Sequence, residues 1–382
     1  MADVPFFLDD SGLGDGIALC LSGGGYRAML FHAGAIWRLN ELGLLRKLDL
    51  VSSVSGGSIA AGALAVAWSG LAWDGNERTA KATNLHSQLI APIVKQSEDG
   101  IEYGSIALGL LPWDHAYRHV AASFERNIVG PGKTLKDLPV APAPKFVFNT
   151  TNLMSGKDWR FGRNDVGDWR VGWTDGPDIS LAEAMAASSA FPPFLSPAIF
   201  DVSGLTFAAP PSGHPMPDLN NPDFTTKVQL ADGGVYDNMG LEPAWKNWRT
   251  LLISNAGQPF GAQKSPPTDW LRQTLRIIDI MMDQEQGLRE RILVYAYKKK
   301  LRSGAIWGLN IRDAVAAGGG PPLLSPDEHK AAATVHTSLN VFTRDEQALL
   351  LKAGYALADD NLRHFYLTNV PAGTTPPSPD GL

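Results

Sequence analysis

The stretch that decides the fold covers residues 16–27, which read GIALCLSGGGYR. Its first seven residues form a short apolar run bounded by glycine, which is typical of a buried β-strand. The three glycines at positions 23–25 then favour a tight turn, because glycine adopts backbone conformations that other residues avoid. From Tyr26 to Leu45 the apolar residues recur at helical spacing. The sequence therefore predicts a strand, a glycine turn and a helix in succession.

A second unit of the same kind follows along the chain. Residues 48–53, LDLVSS, predict another strand, and the alanine-rich residues 59–68 predict a buried helix after a tight turn. A strand–helix–strand–helix order predicts a parallel sheet with helices packed on it. Further strands are predicted at residues 145–149, 228–230 and 250–254, and further helices at residues 179–187, 270–300 and 325–364. We expect an α/β fold with a mostly parallel central sheet.

Composition narrows the classes of function. The chain has 382 residues, of which 44% are hydrophobic and 19% charged, within the ordinary range of globular proteins. The net charge of −6 argues against a dedicated nucleic-acid binder, which needs a concentrated basic face. Cys20 is the single cysteine, so no disulfide forms within the chain. Because Cys20 lies in an apolar run, a buried structural thiol is expected.

The ends of the chain predict its domain boundaries and location. Residues 1–14 are acidic, lack the features of a signal peptide and are expected to form an N-terminal extension. Residues 15–370 are expected to form one domain, with the main motifs at 15–245 and a helical part at 265–370. The proline-rich residues 371–382 predict a disordered tail. The longest apolar run is too short to span a bilayer, so we expect a cytoplasmic protein, either free or peripheral at a membrane. Export without a cleaved signal is left open.

The second turn, SVSGG at residues 53–57, differs by one residue from the pattern G-x-S-x-G. In that pattern a serine occupies a sharp turn between a strand and a helix, with its hydroxyl directed away from the backbone. Ser55 holds the serine position, Gly57 is retained, and Ser53 replaces the first glycine. Ser55 is therefore a candidate nucleophile. A loop serine that caps the following helix is the simpler alternative.

The first turn, GGGYR at residues 23–27, has two interpretations. A phosphate cradle is disfavoured, because the Walker motif needs Lys-Ser/Thr after its last glycine and no acidic residue closes the second strand as in dinucleotide-binding motifs. We favour an oxyanion hole, in which the N–H groups of Gly24 and Gly25 stabilise negative charge on a carbonyl oxygen. Arg27 is expected either to orient this loop or to bind an anionic headgroup.

A nucleophilic serine needs a base, and the chain offers two kinds. Among the eight histidines, His364 comes nearest to the late position of a hydrolase histidine, whereas His32 lies in the first predicted helix and is expected to serve packing. Asp232 stands out instead, because it follows a short strand and precedes two glycines that leave its carboxylate free to approach a neighbour. An ordinary aspartate of an Asp-Gly turn is the alternative.

Four stretches in this order carry a family resemblance: GGGYR at 23–27, SVSGG at 53–57, ASSAFPPF at 187–194 and DGGVYDN at 232–238. Together they resemble the patatin-like phospholipase family, and the resemblance covers residues 15–245. It implies a three-layer α/β/α fold and a Ser–Asp dyad without a catalytic histidine.

The resemblance assigns roles position by position. Ser55 is implied to be the nucleophile and Asp232 the base, and Gly57 is implied to be the second glycine of the nucleophile elbow. The implied oxyanion loop contains Gly23, Gly24 and Gly25. Two positions depart from the family pattern, since Ser53 replaces the first elbow glycine and Ala28 replaces the usual glycine after Arg27. Neither departure removes a reacting group.

The implied function is that of a lipid acyl hydrolase, a phospholipase A or esterase, that cleaves carboxylic esters through an acyl-enzyme. Its implied partner is a phospholipid or another lipid ester. Residues 106–113 are a candidate apolar flap, and the helix that ends in three lysines at 298–300 is a candidate for membrane contact; core packing and a solvated helix end are the alternatives. We expect no metal or cofactor site. A Ser–His–Asp esterase and a lipid-binding protein of the same fold without turnover are left open, and the oligomeric state is not predicted.

Overall fold

The chain folds around one ten-stranded sheet, seen in a computed structural model that describes residues 12–101, 116–176, 178–208, 216–257, 260–310 and 323–381. The strands are Gly14–Leu21 (β1), Leu48–Ser53 (β2), Lys145–Asn152 (β3), Lys157–Gly162 (β4), Val166–Asp168 (β5), Gly172–Thr174 (β6), Ala198–Asp201 (β7), Lys227–Asp232 (β8), Trp248–Asn255 (β9) and Ser303–Gly308 (β10). The longer helices are Gly25–Glu41 (α1), Gly56–Ala67 (α2), Ala91–Glu98 (α3), Ala116–Phe124 (α4), Leu181–Ser188 (α5), Trp270–Lys298 (α6), Pro326–Thr334 (α7) and Arg344–Phe365 (α8). Single-turn helices lie at Pro222–Thr225, Gly234–Asp237 and Glu242–Trp245.

The sheet has a parallel centre with antiparallel additions. Along its main path the strands lie in the order β10, β9, β1, β2, β3, β4, β5 and β6. The first five of these pair in parallel. β4, β5, β6, β7 and β8 pair antiparallel with their neighbours. The mixed sheet and its flanking helices confirm the predicted α/β class.

Side chains of β1 supply both faces of the sheet, because successive residues of a strand point in opposite directions. Leu19 and Leu21 belong to the larger hydrophobic core, which includes the buried faces of α1 and α2. Ala18 and Cys20 belong to a second core on the other face, which includes Leu293 of α6. Helices therefore cover both faces of the sheet and produce the predicted three layers.

The register on β3 explains why two distant segments meet. β2 pairs with the first half of β3 and stops with Ser53 opposite Phe148. β8 lies along the same edge of β3 in the opposite direction and ends with Asp232 opposite Thr150. Two residues along a strand span about 7 Å, so the ends of β2 and β8 converge at one place in the sheet. The turns that follow these two strands therefore leave the sheet side by side.

The C-terminal part differs from its predicted form in two ways. The helix predicted at residues 325–364 is two helices, α7 and α8, because Thr343 starts a new helix. The Thr343 side chain accepts a hydrogen bond from the Glu346 N–H group, and the Glu346 side chain accepts one from the Thr343 N–H group. The part predicted to be helical at 265–370 also contains β10, which pairs in parallel with β9.

Residues 371–381, which we expected to be disordered, have no regular secondary structure but contact the domain. Arg38 of α1 donates to the Pro371 carbonyl oxygen at 2.6 Å. The Gly373 N–H group donates to the Asp359 carboxylate of α8 at 3.2 Å. Buried charged side chains of α1 and α8 thus hold the backbone of this segment, which the proline-rich composition did not indicate.

Two of the sequence predictions lie outside the described residues. These are the candidate flap at 106–113 and all but the last residues of the N-terminal extension at 1–14. Within the described ranges, no helix combines the length and the apolar character that crossing a bilayer requires.

Candidate active site

Ser55 lies between the end of β2 and the start of α2, where the sequence places it. Its backbone has a φ of 52° and a ψ of −122°, a conformation that residues other than glycine rarely adopt. Holding a residue in such a conformation costs about 1–3 kcal/mol. Ser55 lines a cavity although little of its surface is exposed. The segment is therefore a sharp, strained corner between a strand and a helix.

The sharp corner at Ser55 is made possible by a small neighbouring residue and by hydrogen bonds between serine hydroxyls. A Cβ atom at Gly57 would overlap the carbonyl oxygen of Leu21, so the close approach of β1 requires glycine there. At the position where the pattern has its first glycine, the Ser53 hydroxyl donates to the Val147 carbonyl oxygen at 3.1 Å. The Ser58 hydroxyl donates to the Ser53 hydroxyl at 3.0 Å. The departure at Ser53 therefore adds a hydrogen-bonded side chain rather than a clash.

Ser188, the last residue of α5, supports the corner from behind. The Ser55 N–H group donates to the Ser188 hydroxyl and to the Ser188 carbonyl oxygen, both at 3.1 Å. The Ser188 hydroxyl in turn donates to the Asn149 carbonyl oxygen at 2.7 Å and contacts the Ser58 hydroxyl at 2.8 Å. Sequence reasoning missed this role. The signal was present, because Ser188 lies within the stretch at 187–194 that contributes to the family resemblance.

Asp232 meets Ser55 at the junction of β2 and β8. Its Oδ1 atom accepts a hydrogen bond from the Gly234 N–H group at 2.8 Å, and the Ser55 hydroxyl lies close enough to the same carboxyl group to lower its pKa. Burial raises the pKa of Asp232 from 3.8 to about 7, and the hydrogen bond from Gly234 and the nearby Ser55 hydroxyl oppose that rise. With 2% of its surface exposed, the carboxylate has lost most of its hydration. A carboxyl group that titrates near neutral pH therefore faces a serine hydroxyl.

The glycine loop before α1 lines the same cavity. The Gly23 N–H group donates to the Asn238 carbonyl oxygen at 3.0 Å, so it holds the loop in place. Gly24 and Gly25 have φ values of 136° and 59°, which glycine tolerates. In the parts of the chain that the structure describes, no acceptor pairs with the N–H groups of Gly24 and Gly25. Of the three predicted loop glycines, these two therefore have amides available to an anion at the N-terminus of α1.

Arg27 connects the glycine loop to two other segments. Its guanidinium donates to the Ala256 carbonyl oxygen at 2.7 Å and to the Val335 carbonyl oxygen at 3.1 Å. Burial lowers the pKa of Arg27 to about 10. Because both bonds go to backbone atoms and the residue is almost fully buried, the contacts favour the loop-orienting interpretation over headgroup binding.

Among the described residues, no histidine lines the cavity that contains Ser55. His364 is exposed near the end of α8, where its ring packs edge-on against Phe365. His32 is buried, and its ring nitrogens contact the Ser254 hydroxyl at 2.8 Å and the Ser22 carbonyl oxygen at 2.9 Å. Burial lowers the pKa of His32 to about 4, so this ring is neutral and structural.

The cavity has a volume of about 820 Å³ and combines an apolar wall with a polar one. Apolar side chains lining it include Phe191, Phe194, Leu195, Phe260 and Met282. Polar side chains that line it include Arg276, Asp279, Asp283 and Gln286 of α6, the helix that also contributes Met282. Sequence periodicity predicted this helix without indicating that it faces the site. Over the described ranges, His, Cys, Asp and Glu residues form no group that would hold a metal ion.

The fold and the site together define an α/β protein with a serine at a strand-to-helix corner, a buried carboxyl group beside it and a glycine loop over the same cavity. Residues 19–245, more than half of the chain, match the family model described as patatin-like phospholipase. The chain belongs to the patatin-like phospholipase family, which confirms the resemblance in its motifs. Membership of this family supports lipid acyl hydrolase activity.

Two solved structures illustrate the similarity at low sequence identity, and the fold comparison rests on the first of them. Human GIVD cytosolic phospholipase A2 is 13% identical, with a TM-score of 0.50 over 90% of this chain and 60% of that chain. VipD from Legionella pneumophila is 14% identical, with a TM-score of 0.35 over 90% of this chain and 66% of that chain. This chain thus spans less than two thirds of either protein. No curated protein matches the chain.

Proposed function

We propose that the protein is a phospholipase A or lipid esterase in which Ser55 is the nucleophile and Asp232 is the general base. The observation that carries this proposal is that the Ser55 hydroxyl lies beside the buried Asp232 carboxyl group, and that both residues line a partly apolar cavity. A base is most effective when its pKa lies near the working pH, and the pKa of about 7 meets that condition.

In the first half of the reaction, the Asp232 carboxylate accepts the proton of the Ser55 hydroxyl while the oxygen of Ser55 bonds to the ester carbonyl carbon. The negative charge that develops on the carbonyl oxygen is stabilised by the N–H groups of Gly24 and Gly25. The bond between that carbon and the alcohol oxygen then breaks. Protonated Asp232 gives its proton to the leaving alkoxide, and Ser55 carries the acyl group.

Water completes the cycle in the second half. Asp232 accepts a proton from water as the water oxygen attacks the acyl carbon, and the same two N–H groups stabilise the second oxyanion. The fatty acid leaves and Ser55 regains its proton from Asp232. An alkoxide leaves more readily than an amine, and we therefore expect cleavage of esters with weak or absent proteolysis.

The cavity supports a lipid substrate. Its aromatic and aliphatic wall offers apolar surface to an acyl chain, and its volume of about 820 Å³ lies in the range of small-molecule sites. The N-terminus of α2 adds a positive partial charge beside Ser55 that favours the charged intermediates.

Labelling with a fluorophosphonate and fatty-acid release from phospholipid vesicles test this proposal. We expect labelling of the wild-type protein at Ser55, no labelling of Ser55→Ala, no release by Asp232→Asn, and full release by His364→Ala. Loss of release in His364→Ala with retention in Asp232→Asn would instead support a Ser–His–Asp esterase. Lipid binding by a wild-type protein that neither labels nor releases fatty acid would support a binding protein without turnover.

A further inference from the structure

Helix α6 exposes apolar side chains along most of its 29 residues. Its buried residues are Leu293 and Ala296, both near its C-terminal end. Trp270 is 79% exposed and Met281 is 66% exposed. The exposed apolar residues that fall on one line of the helix are Trp270, Ile277, Met281, Leu288, Ile292 and Tyr295, and we call them the outer stripe. A stripe of this kind on a long helix needs a partner.

The spacing of the outer stripe makes it one continuous surface. With 3.6 residues per turn, its six residues fall within an arc of about 60° around the helix axis. From Trp270 to Tyr295 the stripe extends about 38 Å along the helix. Scattered exposed residues would not align in this way.

Polar side chains of α6 lie on the other side of the helix from the outer stripe. Asp279 and Asp283 line the cavity that contains Ser55. Further along the helix, Glu290 accepts a hydrogen bond from the Asn255 side chain of β9 at 2.7 Å. A helix that packs on a domain normally buries its apolar face and exposes its polar one. α6 buries Leu293 and Ala296 in this way, and the outer stripe is an additional apolar face that remains exposed.

The charge of this segment differs from that of the whole chain. Residues 270–300 contain seven Lys or Arg residues and four Asp or Glu residues, whereas the complete chain has a net charge of −6. Three of the four acidic side chains face the cavity or β9, and the fourth, Glu285, pairs with Arg289. Among the basic side chains, Arg276 lines the cavity, Arg272 pairs with Asp269 and Arg289 pairs with Glu285. Arg291 and the lysines at 298–300 are exposed, and exposed basic and apolar groups together suit an anionic lipid surface.

We propose that α6 docks in the plane of an anionic membrane, with the outer stripe at the boundary between headgroups and acyl chains. This inference rests on the proposed function and adds the surface through which the cavity receives its substrate. Trp270 and Tyr295 stand at the two ends of the stripe, and such side chains prefer membrane interfaces. Phe260 lines the cavity and packs under Arg276 of α6, with 3.9 Å between the guanidinium carbon and the ring centre. Apolar surface thus leads from the cavity opening to the helix.

Sedimentation with lipid vesicles tests the docking. One set of vesicles contains phosphatidylcholine alone, and the other contains about one third phosphatidylserine. The stripe variant replaces Ile277, Met281 and Leu288 with serine, and we expect its partition onto anionic vesicles to fall at least about 100-fold. The matched control replaces Val140 and Phe365, which are 60% and 65% exposed outside α6, with serine. We expect the control to bind like the parent protein.

A charge variant separates the electrostatic contribution to vesicle binding from the contribution of the apolar outer stripe. Lys298→Gln with Lys299→Gln should weaken binding to anionic vesicles about 25-fold and leave binding to neutral vesicles unchanged. Lys300 is retained because its backbone has a φ of 59°, so that replacing it could change the backbone conformation as well as the charge. All binding is measured with Ser55→Ala protein, so that hydrolysis does not alter the vesicles. Turnover of a water-soluble short-chain ester, measured separately in the Ser55 background, reports on the proposed function alone.

Three results would overturn the assignment. The first is unchanged binding of the stripe variant to anionic vesicles, and the second is equal binding of the parent protein to neutral and anionic vesicles. The third comes from light scattering of the protein in solution. A dimer that the stripe substitutions convert to a monomer would assign the outer stripe to a second copy of the chain instead of a membrane.

Discussion

Replacing Asp232 with asparagine should abolish turnover and stabilise the protein at alkaline pH. Asparagine has nearly the same shape and keeps an oxygen that accepts the hydrogen bond from the Gly234 N–H group, which the Asp232 Oδ1 atom accepts at 2.8 Å. It has no proton to lose in this pH range. The substitution therefore removes the ionisation of the carboxyl group with little change to its packing.

The magnitude follows from the pKa of Asp232, which burial raises from 3.8 to about 7. Each unit of pKa difference between the folded and unfolded states corresponds to about 1.4 kcal/mol, so the ionised carboxylate costs the folded protein about 4 kcal/mol. Between about pH 4 and pH 7 the folded state holds a proton that the unfolded state lacks, so stability falls as the pH rises through this window. The stability that the folded protein gains by keeping Asp232 protonated is fully present below about pH 4 and is lost above about pH 7.

Urea unfolding of the wild-type protein and of Asp232→Asn at pH 5 and pH 8 measures this effect. The stability advantage of the variant should be larger at pH 8 than at pH 5 by about 2–3 kcal/mol, because part of the wild-type loss has already occurred at pH 5. All other titrating groups are common to both proteins, and their contributions cancel in the comparison.

An advantage that is the same at both pH values would refute this reasoning, because it would mean that Asp232 does not titrate in this range. The activity of the wild-type protein provides a second check. If the carboxylate form is the base, kcat/KM rises with pH through about 7 and then levels off. In the urea experiment Ser55→Ala serves as a control, since loss of the Ser55 hydroxyl should raise the pKa of Asp232 further.

Two further predictions concern Ser55 and Arg27. Ser55→Gly and Ser55→Ala should both be inactive, but the glycine variant should be more stable in urea by about 1 kcal/mol, because glycine adopts the observed backbone conformation without strain; equal stability would mean that the corner is not strained. Arg27→Lys should lower kcat by the same factor, about 10- to 100-fold, on a soluble ester and on phospholipid. The reason is that a displaced glycine loop would stabilise the oxyanion of either substrate less well. A rise in KM for phospholipid alone would assign Arg27 to headgroup binding instead.

The part of the site that sequence reasoning could predict is set by local steric rules. A run of glycines after an apolar strand, and a serine with small neighbours after the next strand, identify the glycine loop and the corner at Ser55. The overlap that a Cβ atom at Gly57 would make with the Leu21 carbonyl oxygen is the physical reason for that pattern. Such constraints act between neighbouring elements, so they are visible in a single sequence.

The rest depends on pairings between distant segments. Asp232 reaches Ser55 because β8 runs antiparallel along β3, and nothing in the residues of β8 specifies that partner. The contact of the Ser188 hydroxyl with the Ser55 N–H group and the position of α6 over the cavity are similar cases. β10 was missed because a strand that contains Gly304 and begins and ends with small residues lacks the apolar pattern of a strand.

The site combines two unfavourable features that the fold must hold together. The corner at Ser55 is strained and the carboxyl group of Asp232 is dehydrated, yet each is anchored to β3, whose residues pair with the last residues of both β2 and β8. Stronger dehydration of Asp232 would leave no carboxylate at neutral pH, and full hydration would leave a carboxylate too weakly basic to accept a serine proton. The hydrogen bond from Gly234 and the nearby Ser55 hydroxyl limit the rise in the pKa of Asp232 to about 7. In the mechanism we propose, a single buried carboxyl group balanced in this way performs the proton transfers that a histidine would otherwise perform, which is why we expect His364→Ala to leave turnover intact.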